Sequence, residues 1–309
     1  MKKLVTTFAL ILVGVPFSEA QAWSRETHMT TGAIAFDDLD RTSPALLAQL
    51  EPILAAHPHR IGLDTHLVGL TGKARNRAMF EWLARWSDDV RGTPYDNPDW
   101  HYELRVISPW AKVWRFRNGT ARAGFDENYR IFADPKAAVA ARAIALGWLL
   151  HIVGDIQQPL HAAHWASGTY PLSDRAGTLG FVLRKKGGSA IDLHEYWDQI
   201  LDRPGRANAT SQAWAGPLIK EWPRARLPEL AYGGTPQVQF SHWLDESLAL
   251  ARKAAYRGAF LRATPDPANA PSVSPAFAKR AEALARRRVV TGGYRIADVI
   301  RMALVMKQP

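Results

Sequence analysis

The sequence contains no cysteine among its 309 residues. This absence excludes disulfide bonds, and it means that any bound metal ion would be held by histidine and carboxylate rather than by thiolate. After the amino-terminal segment, no stretch approaches the roughly 20 uninterrupted apolar residues that a membrane-spanning helix needs. Internal repeats and low-complexity tracts are also absent, which excludes a solenoid. The composition does not shift along the chain, so we expect a single domain.

The first 22 residues have the three-part layout of a secretory signal peptide. Two lysines precede an apolar run over residues 4–15, and Ala20 and Ala22 form an Ala-x-Ala cleavage site. The apolar run is short for a membrane span, although an uncleaved anchor is the alternative interpretation. Cleavage after Ala22 predicts a mature chain of residues 23–309 with an extracytoplasmic location, either periplasmic or secreted.

The chain is basic, with a formal net charge of +10. Removal of residues 1–22 takes away Lys2, Lys3 and Glu19 and leaves a charge of +9. A positive balance favours anionic partners such as nucleic acid or phospholipid head groups. The signal is weak by itself, because a basic charge also serves solubility.

Apolar residues recur every three or four positions in several long segments, which predicts amphipathic helices. These segments are residues 77–91, 137–161, 240–256, 275–290 and 293–307. Strand alternation is scarce, and its best example, residues 179–187, predicts a small hairpin or an extended loop. Loops rich in Pro, Gly and Asp are predicted at residues 91–103, 166–180 and 262–275. We expect the last of them to be an exposed connection, because its four prolines exclude a regular ladder. The predicted class is therefore all-α, with long loops.

Two His-x3-Asp pairs are the strongest chemical signal in the sequence. His151 and Asp155 stand four residues apart, as do His194 and Asp198, so each pair would lie on one face of a helix. His161 follows shortly after the first pair, beyond a proline at which the helix must kink or end. One such pair arises easily by chance, whereas two pairs and a further histidine form a more specific pattern.

The pairs have two interpretations. Imidazole and carboxylate are suitable ligands for zinc, but a buried His–Asp hydrogen bond would also satisfy a polar group in the core. Residues 148–153 surround His151 with apolar side chains and predict a buried helix. Burying several titratable groups together is costly unless they are paired or bind metal, which favours a metal site.

Two further candidate ligands lie upstream. Asp88 and Asp89 are placed near the end of a predicted helix, and His101 lies on a predicted loop. An ordinary solvated carboxylate is the alternative for Asp88.

In this order the motifs resemble those of the zinc-dependent S1/P1 nucleases, which share a mainly helical fold with the bacterial zinc phospholipases C. The resemblance covers essentially the whole mature chain, and the HxxxDIxQPLH core is its most specific part. The motifs are Trp-x4-His (23–28), Trp-x-Asp with an arginine three residues on (86–91), Trp-His-Tyr (100–102), HxxxDIxQPLH (151–161), LHxxWD (193–198) and GGYRIA (292–297).

The resemblance implies a trinuclear zinc cluster held by nine residues. Ion by ion, the implied ligands are Asp88, His101, His151 and Asp155 for the first; His161, His194 and Asp198 for the second; and Trp23, through its free α-amine and carbonyl, with His28 and a bridging Asp155 for the third. Histidines outside this set are expected to be surface or hydrogen-bonded residues, namely His57, His59, His66, His164 and His242.

The implied chemistry is metal-assisted hydrolysis of phosphodiesters, with Asp88 and Asp155 on the metal ions and Arg91 on a phosphate oxygen. The expected substrates are single-stranded RNA and DNA and the 3′-phosphates of nucleotides, and the products carry 5′-phosphates. No obligate protein partner is implied, and we expect a monomer.

The sequence departs from the family pattern around the implied cluster. Leu104 occupies a position where an aspartate is common, Ala176, Gly177 and Thr178 replace Gly-Gly-Asn, and Gln157 stands where histidine is usual. These changes leave the implied ligands intact but alter their surroundings. Two alternatives therefore stay open, a phospholipase C-like phosphodiesterase and a zinc-binding protein without turnover.

Overall fold

A computed structural model describes residues 23–59, 61–109, 118–202, 211–256 and 263–305, apart from the side chains of residues 61, 211 and 212. The predicted signal peptide lies outside the described residues. Within them the fold is predominantly helical, which confirms the all-α class. The helices are α1 Arg25–Thr42, α2 Pro44–Ala55, α3 Ile61–His66, α4 Gly72–Asp89, α5 Ala121–Ala133, α6 Val139–Asp155, α7 Leu193–Asp198, α8 Ser211–Glu221, α9 Pro236–Leu250 and α10 Pro275–Val305.

In the described part of the chain, four short strands form two separate two-stranded sheets. β1 Arg105–Ile107 pairs in parallel with β2 Ala163–Trp165. β3 Phe181–Leu183 pairs with β4 Ala190–Asp192 in antiparallel fashion, which confirms the hairpin predicted around residues 179–187. Each sheet lies beside a segment that carries candidate ligands, because β2 begins two residues after His161 and β4 directly precedes α7.

Helix α6 forms the centre of the main core. Its second half is buried on every side, so it lacks the polar face of a surface helix, as the sequence predicted. Trp148 of α6 packs edge-to-face against Trp86 of α4, with ring centroids 6.2 Å apart. Such a pair contributes about 1 kcal/mol beyond the burial of its area. The core therefore holds the end of α6 rigidly against α4.

Helix α10 is continuous over Pro275–Val305, whereas the sequence pattern predicted two helices that met near residue 291. The interruption was wrongly placed because the pattern contains Gly292 and Gly293, which weaken a helix in isolation. A Cβ atom at Gly293 would lie 2.5 Å from Cβ of Ile34. Glycine here permits the close approach of α10 to α1, and this packing outweighs the low helix propensity.

Residues 265–269 of the segment that precedes α10 are exposed, as predicted for this connection, but the segment also contacts the hairpin. Its backbone forms isolated bridges to the hairpin, from Thr264 to Phe181 and from Ser272 to Leu183. Val273 is buried in an apolar cluster with Val182. The prolines exclude a continuous ladder, but a few backbone hydrogen bonds to the hairpin suffice to dock the segment.

None of the helices in the described ranges is long and apolar enough to cross a membrane.

Candidate metal centre

The carboxyl-terminal turn of α6 carries the first His-x3-Asp pair. Nε2 of His151 lies 3.0 Å from Oδ2 of Asp155, and both side chains are buried. Nδ1 of His101 lies 3.1 Å from the same oxygen and 2.9 Å from Nε2 of His151. His101 is the last residue of a 3₁₀ turn, Pro98–His101, and the structure brings it to the helical pair as the sequence predicted.

Two more predicted residues complete this group from α1 and α4. Nε2 of His28 lies 3.2 Å from Oδ1 of Asp155 and 3.8 Å from Oδ2 of Asp88. The other oxygen of Asp88 lies 3.8 Å from Nδ1 of His101 and 3.9 Å from Nε2 of His151. Asp88 thus stands between His28 and the His101–His151 pair, whereas the predicted sets place it with the latter alone.

Asp88 is the most solvent-exposed residue of the first group. Its side chain is 24% exposed, against 1% for Asp155 and 0% for His28. Arg91 lies one turn further on, and its Nη2 donates to Oδ1 of Asp88 over 2.7 Å. A molecule that approached this centre from solvent would therefore meet Asp88 and Arg91 first.

A second group is formed by the predicted triad on the other side of Asp155. Nε2 of His194 lies 3.4 Å from Oδ2 of Asp198, and Nε2 of His161 lies 3.8 Å from Oδ1 of the same residue. Nε2 of Gln158 donates to that Oδ1 over 2.9 Å. All three members of the triad are buried, and their ligand atoms lie within 4.8 Å of one another.

The two groups are joined through His161. Its Nδ1 lies 3.8 Å from Oδ1 of Asp155 and donates to the backbone carbonyl of His101 over 2.7 Å. The structure therefore assembles the side chains of eight predicted ligands into one buried centre. Three sets of them could each hold a metal ion, the first two sharing His151, namely His28, Asp88 and His151; His101, His151 and Asp155; and His161, His194 and Asp198.

Backbone carbonyls orient three of the imidazoles. Nδ1 of His151 donates to the carbonyl of Ala84, and Nδ1 of His194 donates to that of Ala176, over 2.8 and 2.9 Å. His161 uses the carbonyl of His101 in the same way. Each imidazole thus turns Nε2 toward a carboxylate, and metal-binding histidines are oriented by the same kind of hydrogen bond from their other ring nitrogen.

Several donor atoms of the centre have no hydrogen-bond partner among the described residues, although they are buried. These are both ring nitrogens of His28, Nε2 of His101, Oδ1 of Asp155 and Nε2 of His161. Leaving buried polar atoms unpaired is unfavourable, so such a concentration indicates a missing ligand. Donor atoms bound at about 2.0–2.2 Å around a tetrahedral zinc ion stand roughly 3.3–3.6 Å apart. The contacts of 2.9–3.9 Å around His151 bracket that spacing, so the residues fit zinc.

The pKa shifts of the titratable side chains differ between the two groups. Burial favours the neutral form of His151, but the carboxylates of Asp155 and Asp88 outweigh it and raise its pKa to about 9. Burial lowers the pKa of His161 to about 4. Burial raises the pKa of Asp198 well above its usual range, whereas His151 and His161 overcome the same effect at Asp155 and hold its pKa well below that range.

Trp23, the ninth predicted ligand, contacts a segment of each group through its indole and through the amide that follows it. Its indole is buried, and Nε1 donates to the carbonyl of Gly154 over 3.1 Å. The next amide, that of Ser24, donates to the carbonyl of Asp198 over 3.1 Å. The backbone of residue 23 is thereby fixed beside two elements that carry predicted ligands.

Sequence reasoning missed the groups that orient the ligands. Gln158 lies inside the core motif but was not distinguished from its neighbours, and backbone carbonyls leave no sequence signal. The expectation of a surface or hydrogen-bonded role was correct for His59, whose Nδ1 accepts from Nε1 of Trp86 over 3.0 Å. His57 and His164 are buried rather than at the surface.

Together, the fold and the centre define a mainly helical protein with three candidate metal-binding groups, of which Asp88 is the solvent-facing residue. The profile of the S1/P1 Nuclease family matches residues 23–305, nearly the whole chain. The chain belongs to this family of zinc-dependent phosphodiester hydrolases, and the resemblance noted in the sequence is confirmed. A comparison with curated proteins found no match.

Proposed function

We propose that the protein is an endonuclease that prefers single-stranded RNA and DNA, removes 3′-phosphates from nucleotides and leaves 5′-phosphate ends. The observation that carries the proposal is the orientation of His151, His161 and His194, each of which turns Nε2 toward a carboxylate of the centre. Membership of a family that acts on nucleic acid and the net charge of +10 support the same substrate class.

We further propose that three zinc ions are held by the nine residues that the resemblance implies. The proposed ligands are Trp23, His28, Asp88, His101, His151, Asp155, His161, His194 and Asp198. Support comes from the unpaired buried atoms of His28, His101, Asp155 and His161, which lack partners among the described residues. Zinc bound in such a site activates water and polarises phosphoryl oxygens.

The protein residues position the substrate at the open side of the centre. Asp88 lies at the solvent-facing edge of the centre, and its Oδ1 accepts a hydrogen bond from Arg91. The guanidinium of Arg91 is planar and carries a fixed positive charge, which suits a phosphate oxygen. Asp155 and His151 lie behind them and are sealed from water, so their orientation does not depend on the substrate. The phosphate would therefore enter along Asp88 and Arg91.

A second candidate is a phospholipase C-like phosphodiesterase, and a specific observation favours it. Leu104 and Ala176, which replace polar or glycine residues of the family pattern, are buried in one apolar cluster with Leu160 and Leu193. The last two directly precede His161 and His194 in the chain. The side chains that pack behind the second group are therefore apolar, whereas nucleases of this family commonly carry a carboxylate at the position of Leu104.

One experiment separates the two candidates. Mature protein with added zinc is incubated in parallel with single-stranded RNA, double-stranded RNA, a 3′-nucleotide and phosphatidylcholine micelles, and Asp155→Asn serves as the inactive control. We expect cleavage of single-stranded RNA, release of phosphate from the 3′-nucleotide and little action on the duplex. Release of phosphocholine without nucleotide products would contradict the nuclease proposal.

We also propose export to the extracytoplasmic space as a monomer, with cleavage after Ala22. The Ala-x-Ala sequence at residues 20–22 supports this location. Amino-terminal sequencing of protein from the periplasm or medium of an expressing bacterium should begin at Trp23. A chain that retains residues 1–22 would contradict the proposed processing.

A further inference from the structure

Two arginines of α10 are buried behind the metal centre. The side chains of Arg288 and Arg295 are 4% and 2% exposed, and both contact the carboxylate of Glu246 in α9. Arg288 donates to Oε2 over 2.8 Å and Arg295 donates to Oε1 over 2.8 Å. One carboxylate thus serves two guanidiniums, and other donors of both arginines contact further groups.

Those donors reach the turn that follows α6. Nη1 of Arg295 donates to Oε1 of Gln157 over 2.8 Å, and Nε of Arg288 donates to the backbone carbonyl of Gln157 over 3.2 Å. Nη2 of Arg288 donates to Oγ of Ser247, which in turn donates to the carbonyl of Ile156. Gln157 is fully buried, so this polar grip is closed to solvent.

The gripped turn sets the positions of candidate ligands on both sides of it. It begins at Asp155, the last residue of α6, and leads to His161. Between them, Gln158 donates to Asp198 over 2.9 Å, and its Oε1 accepts from the amide of Leu160 over 2.6 Å. A shift of this turn would therefore move members of the first and the second group relative to each other.

Helix α10 is adapted to this contact. A Cβ atom at Gly292 would lie 3.0 Å from Cγ of Gln157, so a larger residue would push the helix away from the turn. Stability alone does not explain the arrangement. Two like charges compete for Glu246, and well-packed apolar residues in such a place are often as stable as a buried ion network.

We propose that Arg288, Arg295 and Glu246 are positioning residues that hold the turn after α6 and thereby fix the distance between Asp155 and His161. The inference rests on the proposed function, in which these two residues bind zinc. It assigns the three residues an indirect role, since they contact the turn and not the ligand atoms.

The test compares two arginines of the same helix. Arg295→Met removes the contact with the turn, whereas Arg301→Met removes an ion pair of α10 with Asp38 of α1, which is 2.7 Å long. The measurements are the rate of zinc transfer to a chelator, the absorption spectrum of the cobalt-substituted protein, and amide hydrogen exchange of residues 157–161 in the metal-free protein.

We expect Arg295→Met to release zinc about 10- to 100-fold faster, to alter the cobalt spectrum and to speed exchange in the turn. Arg301→Met should lower thermal stability and leave these three measurements within about twofold of the wild type. Arg295→Lys should differ less from the wild type than Arg295→Met does, because it keeps a cation near Glu246.

Gln157→Met provides an independent variant that keeps the Arg–Glu pairs and the volume but removes the acceptor in the turn. If Arg295→Met does not fold, Gln157→Met tests the positioning role in its place. Gln157→Met should also speed zinc release. Equal effects of Arg295→Met and Arg301→Met, or unchanged zinc release in Gln157→Met, would overturn the proposal. Wild-type protein that binds no zinc would instead contradict the proposed function, and hydrogen exchange of the turn would then still decide the positioning role.

Discussion

Oδ1 of Asp155 lies 3.2 Å from Nε2 of His28, so that the end of α6 and the beginning of α1 meet at a single carboxylate. The other oxygen of Asp155 faces His101 and His151 at 3.1 and 3.0 Å. One carboxylate therefore presents its two oxygens to two different sets of imidazoles. This geometry suits a residue that bridges two metal ions.

Asp155→Asn should have a larger effect on metal content than the same change at Asp198, because the only candidate metal-binding set that contains Asp198 among the described residues is the one with His161 and His194. We expect Asp155→Asn to bind roughly one zinc ion per chain and to lose activity at least about a thousandfold, since two ions lose a charged ligand. Asp198→Asn should retain roughly two. Elemental analysis of the purified variants measures the difference, and three zinc ions in Asp155→Asn would refute the bridging role.

The amino terminus offers a second test. One alanine placed before Trp23 turns its α-amine into an amide, which is a poor zinc ligand. The extended protein should therefore bind about one zinc ion fewer than the protein that begins at Trp23. Removal of the extra residue by an aminopeptidase should restore it. An unchanged zinc content would show that Trp23 is not a ligand.

Zinc affinity should depend on pH through His151. The pKa of this imidazole is raised from 6.5 to about 9, so near pH 7 the residue carries a proton that zinc must displace. The neutral fraction increases about tenfold per pH unit below pH 9, and affinity should rise up to tenfold between pH 7 and pH 8. Chelator competition at both values, with calorimetry in two buffers to count released protons, measures this. Binding without proton release would contradict the pKa assignment.

The loop that orients His194 depends on a glycine. Gly177 has a φ of 94°, and a Cβ atom there would lie 3.2 Å from the amide of His194 and 3.1 Å from Leu160. Gly177→Ala should cost about 2–3 kcal/mol of unfolding free energy and weaken zinc binding at the second group. Gly187→Ala is the matched control, because Gly187 has a φ of 77° with open space around it and should cost only about 1 kcal/mol. Chemical denaturation and zinc titration of both variants would show whether the losses differ.

Much of the fold follows from short-range pattern. The apolar surroundings of His151 predicted a buried helix, and α6 is buried on all sides over its second half. The structure differs where tertiary contacts outweigh local preference. Gly292 and Gly293 predicted an interruption, yet they lie inside α10 because their lack of side chains lets it approach Ile34 and Gln157.

Only part of the candidate centre could be predicted from residue spacing. The pairs at four-residue spacing could be found in the sequence because a helix brings such residues together. The convergence of Asp88, His101 and His28 on them depends on how three separate elements pack, so only a family resemblance could suggest it. The carbonyl groups of Ala84 and Ala176, which orient His151 and His194, are invisible to any sequence pattern.

The most direct test of the central claim is an anomalous difference map at the zinc absorption edge from crystals of protein that begins at Trp23. We predict three peaks, one beside His101 and His151, one among His161, His194 and Asp198, and one between His28 and the amino terminus. Asp155 should contact two of them. A map with no peak at these positions, or with peaks elsewhere in the molecule, would contradict the account.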